Sequence, residues 1–458
     1  MELYQLSLKE LIEGLKNKKF TQKEILVSFY TRIQKINPFV NAFLTITGEN
    51  SWNDKEGELS GIPIGFKDIY VTKDIKTTAG SKVLENYIPQ YNSTVVQKLV
   101  NKGATIFGKT NQDAWAHGSS GENSDFAPAK NPWNTDYVPG GSSSGSAVAV
   151  AASMCPVAFG TDTGGSIRLP ASFCNVVGLK PTYGRVSRYG IIAMASSHDS
   201  IGHFTRTVYD NALILNMTAG KDPFDATTSN IKAPDYTKNI KKGVKGLKIG
   251  LPKEYLEKGI DPEVEKIFRQ VLQKYEDLGA EIINVSLPHT EYALAVYYII
   301  QPSEVSSNLG RYDGIRFGNG RNCFGQEAIR RIMLGTYTLS AGYYDAYYLK
   351  AMKVRTLLIQ DFNKAFKKVD VIITPVSPTL PFKFGEKTDN PLAMYLSDIF
   401  TVTMNLAGVP ALSIPGGFAK GLPVGFQIVG PNFSEDMLYQ VGYAYEQMTD
   451  WYKQKPKL

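Results

Sequence analysis

Two short runs of glycine and serine dominate residues 139–190, PGGSSSGSAVAVAASMCPVAFGTDTGGSIRLPASFCNVVGLKPTYGRVSRYG, and three kinds of chemistry compete to explain them. The first is a phosphate cradle, in which amide N–H groups ahead of a helix hold an anion. A Walker loop needs a lysine after its last glycine, and none follows Gly145. A dinucleotide fingerprint needs its glycines directly after a strand, whereas residues 131–139 (NPWNTDYVP) read as turns. The second is a nucleophile elbow: Gly141-Ser142-Ser143-Ser144-Gly145 formally matches GxSxG, which would make Ser143 the nucleophile. The elbow also requires a preceding strand and a catalytic histidine. Of His117, His198, His203 and His289, only His289 lies usefully downstream, in SLPHT, which has the character of a surface loop. Both readings fail.

The third pairs the serines with an upstream lysine. Residues 61–68, GIPIGFKD, set Lys67 in a glycine-bounded stretch too apolar for an exposed loop. Burial lowers a lysine from its ordinary value of about 10.4, so a neutral amine becomes available as a base. A serine hydroxyl is a weak nucleophile until such a base takes its proton. From GIPIGFKD through GLKPTYGRVSRYG, with the GGSSSGS turn and the DTGGSIRLP segment between them, the sequence resembles the amidase signature family. The resemblance implies that family's α/β fold, a large mixed β-sheet core covered by helices on both faces, and hydrolysis of a carboxamide. Carried over residue by residue, it makes Ser166 the nucleophile, Ser142 a bridging serine in a cis peptide, and Lys67 the base, at the family's usual spacing. The N–H groups of Thr163, Gly164 and Gly165, with that of Ser166, would form the oxyanion hole, each donor worth about 2.7–4 kcal/mol. Asp162 and Arg168 would brace the loop.

Within the family, residues 301–318, 330–348, 180–190 and 404–410 are similar to the A subunits of glutamyl-tRNA(Gln) amidotransferases. That branch implies a glutaminase supplying ammonia for transamidation of Glu-tRNA(Gln), inside a heterotrimer with B and C subunits. It assigns Tyr297, Arg331 and Asp398 to glutamine, an arginine for the α-carboxylate and an aspartate for the α-ammonium. Arg330 is the neighbouring alternative to Arg331. No cofactor and no metal are expected in this chain; ATP and Mg²⁺ would belong to the partner subunit, which would also carry most of the tRNA contact. Residues 319–329 are short beside typical members. The alternatives are a stand-alone amidase of aryl, acyl or peptide amides, and a non-catalytic scaffold or RNA-binding subunit.

The elements that must position these groups are partly readable. Ser7–Glu10 and Thr21–Glu24 are capping boxes that start two helices within residues 1–40, the second with Phe20 and Ile25 placed for a hydrophobic staple. Apolar runs at 104–107 and 157–159 predict buried strands, and 143–154 a helix. Residues 220–245 read as a polar surface connection. A strand at 247–250, a helix at 262–278 stopped by Gly279 and a strand at 281–285 make a β-α-β unit. A long helical region spans 326–368, strands follow at 371–374 and 411–414, and Ser434 opens a last helix. Strands alternating with helices to the end predict one α/β unit over 1–458, with a signature core at about 61–210 and a C-terminal α/β part at about 245–458.

Composition sets the bounds. The chain has 458 residues, 43% hydrophobic and 20% charged, ordinary for a globular enzyme, and 11% aromatic, which excludes disorder. Its formal charge of +7 gathers at 238–248 and at the tail. This reads as a solvated basic face, with weak attraction to an acidic partner such as RNA as the sharper alternative. Cys155, Cys174 and Cys323 suit neither a disulfide framework nor a zinc site and fit a reducing compartment. No signal peptide and no apolar run of about 18 residues is present, so the expected location is cytoplasmic, without membrane contact.

Overall fold

The computed structural model describes residues 2–49, 52–256, 259–316 and 318–458. Phe317, inside the 301–318 segment, lies outside them. Both capping boxes form: Ser7 and Thr21 each accept the N–H of the glutamate three residues on, and that glutamate reaches back. The helices they start, Leu8–Lys16 and Gln22–Val40, bury Leu8, Leu11, Ile25, Phe29 and Ile33.

Among the described residues, eleven strands build one mixed sheet: β1 Phe43–Ile46, β2 Pro63–Lys67, β3 Thr105–Thr110, β4 Val157–Asp162, β5 Val177–Lys180, β6 Ser200–Thr205, β7 Lys248–Pro252, β8 Glu281–Val285, β9 Val371–Pro375, β10 Ala411–Ala419 and β11 Leu422–Val429. Their order is β1-β3-β2-β4-β6-β5-β10-β11-β9-β7-β8. Strands β2, β4, β5, β6, β9 and β11 are buried at every residue, so both faces of the sheet's centre are covered. That is why they read as continuous apolar or small-residue runs and not as alternating ones. The β7–helix–β8 unit forms as expected, parallel, around the helix Pro262–Asp277, with Gly279 at φ +83°.

One pairing matters most for function. β2 and β4 are parallel neighbours, Ile64 opposite Val157. Lys67 closes β2 and Asp162 closes β4, so both leave the sheet on the same side. This is the carboxyl edge where α/β sheets place their ligands.

The structure departs from two of the expected helices and adds strands β1, β2, β5, β6 and β11 to those expected. Residues 326–368 form two helices, Gln326–Leu339 and Lys350–Ala365. Ser340 turns extended, Gly342 takes φ +86°, and a π-helical turn over Asp345–Leu349 restarts the chain. The helix after the first serine run is shorter than read, Ser144–Ala151, because Ser153 takes φ +57°. Residues 220–245 hold no helix or strand and are mostly exposed, as expected of a surface connection, and they also bury Asp222, Asp225 and Tyr236. Asp222 accepts the hydroxyls of Thr94 and Ser187, so the segment is stitched onto the core.

Candidate active site

Lys67 is fully buried at the end of β2. Its Nζ donates to Ser142 Oγ at 2.6 Å and to Thr161 Oγ1 at 2.9 Å. Burial brings its ammonium down to about 7, against the opposing pull of Asp113, Asp199 and Asp162. A lysine so placed exchanges its proton readily near neutral pH.

The Gly141–Ser142 peptide is cis. It is gripped from both sides: Gly141 N–H donates to the Ser119 carbonyl at 2.9 Å, and Asp113 N–H to the Ser142 carbonyl at 3.2 Å. No side chain fits at Gly141, where a Cβ would lie 2.1 Å from Asp113 Oδ2. The buried helix Ser144–Ala151 follows at once and packs just as tightly; a Cβ on Gly145 would meet the Ala42 carbonyl at 2.3 Å. Small residues here are a packing requirement as much as a chemical one.

Ser166 sits on the loop between β4 and the helix Arg168–Cys174, and its carbonyl accepts the Ser143 N–H at 3.2 Å, joining the two serine runs. It is 8% exposed while Lys67 and Ser142 are at 0%, so of the three Ser166 alone reaches the surface. Asp162 organises the loop by accepting the N–H groups of Gly165 (2.9 Å), Ile167 (3.2 Å) and Arg168 (3.3 Å). The Gly165 amide is therefore engaged already. Among the described residues, the amides of Thr163, Gly164 and Ser166 have no hydrogen-bond partner. Gly165 serves the loop's shape, at φ +132° and with Thr401 Oγ1 only 2.4 Å from where its Cβ would be.

Of the three residues expected to hold a substrate, Tyr297 packs on this loop, and Arg331 and Asp398 meet at the Tyr298 side chain. Tyr297, on the helix Ala293–Leu309, packs its ring on Gly164, where a Cβ would lie 2.6 Å from the phenol oxygen. Arg331 is buried on the helix Gln326–Leu339, held by Glu327 at 2.8 Å and lying over the Tyr298 and Tyr395 rings. Arg330 points outward, 44% exposed, and pairs with the far side of Glu327. The helix thus selects Arg331 as the inward residue. Asp398 is buried and accepts hydroxyls from Ser119 at 2.7 Å and Tyr298 at 2.8 Å. Burial raises its carboxyl to about 6, with Ser119, Tyr298 and Arg331 pulling the other way.

Sequence reasoning missed Thr161, Asp113, Ser119, Tyr298 and Thr401. A signal existed for Ser119, since HGSSGENS at 117–124 is a third glycine-serine run. Among the described residues no hydrogen bond joins any histidine to Ser142, Ser143 or Ser166. His203 bonds the Asn211 carbonyl, and His289 bonds Asp361. Burial holds His117 and His198 well below their ordinary range. Among the described residues no cluster of three or more His, Cys, Asp or Glu could hold a metal, and no helix is long and apolar enough to cross a membrane. All three cysteines are free.

A buried lysine bonded to Ser142 at the carboxyl edge of a mixed sheet, with the Ser166 loop hydrogen-bonded to the same serine run, agrees with the sequence pattern of the amidase family, which matches residues 24–439: the chain belongs to that family. It is similar along its whole length to particular members. The A subunit of glutamyl-tRNA(Gln) amidotransferase from Carboxydothermus hydrogenoformans is 52% identical over 485 residues, covering 100% of both chains. The corresponding A subunit from Geobacter metallireducens is 52% identical over 482 residues, covering 99% of each. The crystal structure of the glutamyl-tRNA(Gln) amidotransferase A subunit from Thermotoga maritima shares 43% identity at a TM-score of 0.88, over 98% of this chain and 95% of that one.

Proposed function

We propose that this chain is the glutaminase subunit of a glutamyl-tRNA(Gln) amidotransferase, releasing ammonia from glutamine through an acyl-enzyme on Ser166. The observation that carries the reading is the buried Lys67 Nζ, 2.6 Å from Ser142 Oγ, at the foot of the Ser166 loop. Full-length similarity to the A subunits of such enzymes supports it.

Neutral Lys67 takes the proton of Ser142 as Ser142 takes that of Ser166, whose oxygen attacks the side-chain amide carbon. The developing oxyanion meets the amides of Thr163, Gly164 and Ser166, each worth about 2.7–4 kcal/mol. The Gly165 amide holds the loop through Asp162 instead. The relay returns its proton to the leaving nitrogen, ammonia departs, and water enters to cleave the glutamyl ester by the same route in reverse. Arg331 takes the α-carboxylate of glutamine, Asp398 its α-ammonium, and the Tyr297 ring walls the side chain against Gly164. The ammonia passes to a partner that activates Glu-tRNA(Gln) with ATP and Mg²⁺, in an assembly with B and C subunits.

The test is ammonia release from glutamine and from a simple aryl amide, by the chain and by its Ser166→Ala variant, with and without B and C subunits, charged tRNA and ATP. Ser166-dependent glutaminase activity that rises with the partners is expected. Efficient partner-free cleavage of the aryl amide, with glutamine ignored, would make this a free-standing amidase.

A further inference from the structure

The residue that ties the ammonium site to the proton relay lies on neither. Ser119 belongs to the 117–124 run, where Gly118 and Gly121 take φ +154° and +91° and fold the loop back under the Gly141–Ser142 turn. It is 5% exposed and held at both ends. Its hydroxyl donates to Asp398 Oδ1 at 2.7 Å, and its carbonyl accepts the Gly141 N–H at 2.9 Å. Gly141 begins the peptide whose second residue, Ser142, carries the oxygen 2.6 Å from Lys67. Two hydrogen bonds and one residue therefore separate the Asp398 carboxylate from the peptide that aims the relay.

The main chain around Asp398 is tied to the other serine loop as well. Thr401 donates its N–H to the Asp398 carbonyl at 2.9 Å and its hydroxyl to the Gly164 carbonyl at 2.6 Å. Asp398 is thus anchored to the Ser166 loop through its backbone and to the Ser142 turn through its side chain. Only the second anchor depends on the state of the carboxylate. A carboxylate oxygen shared between a hydroxyl and an ammonium shifts toward the stronger, charged donor, and the hydroxyl must follow or lose its bond.

We infer that Ser119 is a positioning residue which makes the turnover step, and not only binding, respond to the α-ammonium of the substrate. The inference rests on the assignment of Asp398 to that ammonium. It makes Ser119 a specificity determinant: a primary amide lacking an α-ammonium can enter the pocket but leaves the Gly141–Ser142 turn unaligned. Misplacing a relay by a fraction of an ångström costs rate while leaving affinity largely alone.

The test compares kcat and KM for glutamine and for 4-carbamoylbutyrate, which is glutamine without its α-amino group. The full chain is used, alone and assembled with its partner subunits. Ser119→Thr keeps the hydroxyl, and Ser119→Val has the same shape without it, so packing changes cancel between the two. The parent and Ser119→Thr are expected to turn over glutamine at least about tenfold faster than 4-carbamoylbutyrate, the scale of one hydrogen bond to a charged group. Ser119→Val is expected to lose that preference in kcat, with KM for glutamine moving less than about threefold. An equal fall of kcat on both substrates would reduce Ser119 to a structural role and overturn the inference. So would a rise in KM alone. If the parent itself does not distinguish the two substrates, the assignment of Asp398 fails first, and that result is separable from the others.

Discussion

Replacing Arg168 by Met removes the cation around which the Ser166 loop is folded. The guanidinium is fully buried and donates to both oxygens of Asp162 at 3.0 Å, to Gln427 Oε1 at 2.9 Å, to the Thr401 carbonyl at 3.0 Å and to Asn405 Oδ1 at 2.6 Å. Methionine fills much of the length and returns none of these bonds. Stranding one member of a buried ion pair costs about 3–5 kcal/mol. The titration of Asp162 gives a second view of the same interaction. Burial pushes its carboxyl up; the charge and hydrogen bonds of Arg168, with Lys180 and Asn405, outweigh burial and hold it at about 2. A carboxylate held below its ordinary 3.8 adds stability that is complete above about pH 4 and lost as pH falls through about 2. That part is worth about 2 kcal/mol at neutral pH, and the remaining polar groups left without Arg168 account for the rest. Urea unfolding at pH 7 should therefore show Arg168→Met less stable by about 3–5 kcal/mol. Glutaminase activity should fall with it, because Asp162 sets the Gly165 and Ile167 amides. Asp162→Asn combined with Arg168→Met should cost less than the sum of the two single changes, by about 2 kcal/mol. A loss under about 1 kcal/mol for Arg168→Met, with additive behaviour in the double variant, would refute this account of the loop.

Five further outcomes are expected. Because Lys67 must be neutral to act and burial brings it to about 7, kcat/KM for glutamine should rise with pH up to about 7 and then level; a flat profile from pH 5 to 8 would contradict its role as base. Asp398, raised to about 6 by burial, must be ionised to bind an ammonium, so the acid limb should steepen below about 6 for glutamine and not for 4-carbamoylbutyrate. Arg331→Lys should raise KM for glutamine about tenfold or more, since a lysine cannot match a two-pronged carboxylate contact, whereas Arg330→Lys, exposed and outward, should change it less than twofold by the same assay. Gly164→Ala puts a methyl 2.6 Å from the Tyr297 hydroxyl and should impair glutamine turnover at least about tenfold, with urea stability separating a displaced ring from a failed fold. Replacing His289 by Asn should leave glutaminase rates within about twofold, and a hundredfold loss would restore the Ser-His-Asp reading.

How much of this was legible depended on range along the chain. The capping boxes at Ser7 and Thr21 are local hydrogen-bond patterns, and both form as read. The β7–helix–β8 unit has its periodicity and its Gly279 stop within one short stretch. The long helical reading of 326–368 failed because its apolar spacing continues through a break made by backbone angles alone, at Ser340 and Gly342. Strands β1, β2, β5, β6 and β11 were not placed; for β2, β5, β6 and β11 burial on both faces erases alternation, and their glycines suppress β propensity. The polar connection at 220–245 forms as read, but nothing local marks Asp222, which is buried by hydroxyl partners far away in sequence.

The same distinction separates the two halves of the site. Ser142 and Ser166 are each embedded in a run whose glycines are sterically required: a Cβ at Gly141, Gly145 or Gly164 collides at 2.1–2.6 Å with Asp113, Ala42 or Tyr297. Such constraints write themselves into sequence as unusual local composition, and composition can be read. For the groups that connect the halves, local composition marks the residue at most and never its partner. Ser119 meets Asp398 across 279 positions, Arg168 meets Gln427 across 259, and Thr401 meets Gly164 across 237. Each is one ordinary polar residue whose partner is fixed only when the sheet closes β4 and β6 against β5, β10 and β11. Burial then makes them indispensable, because a polar group enclosed there has no water to replace a lost partner. It follows that the long-range polar ties should be where substitutions separate substrate preference from catalysis. Changes at the glycines of the serine runs should destroy both together.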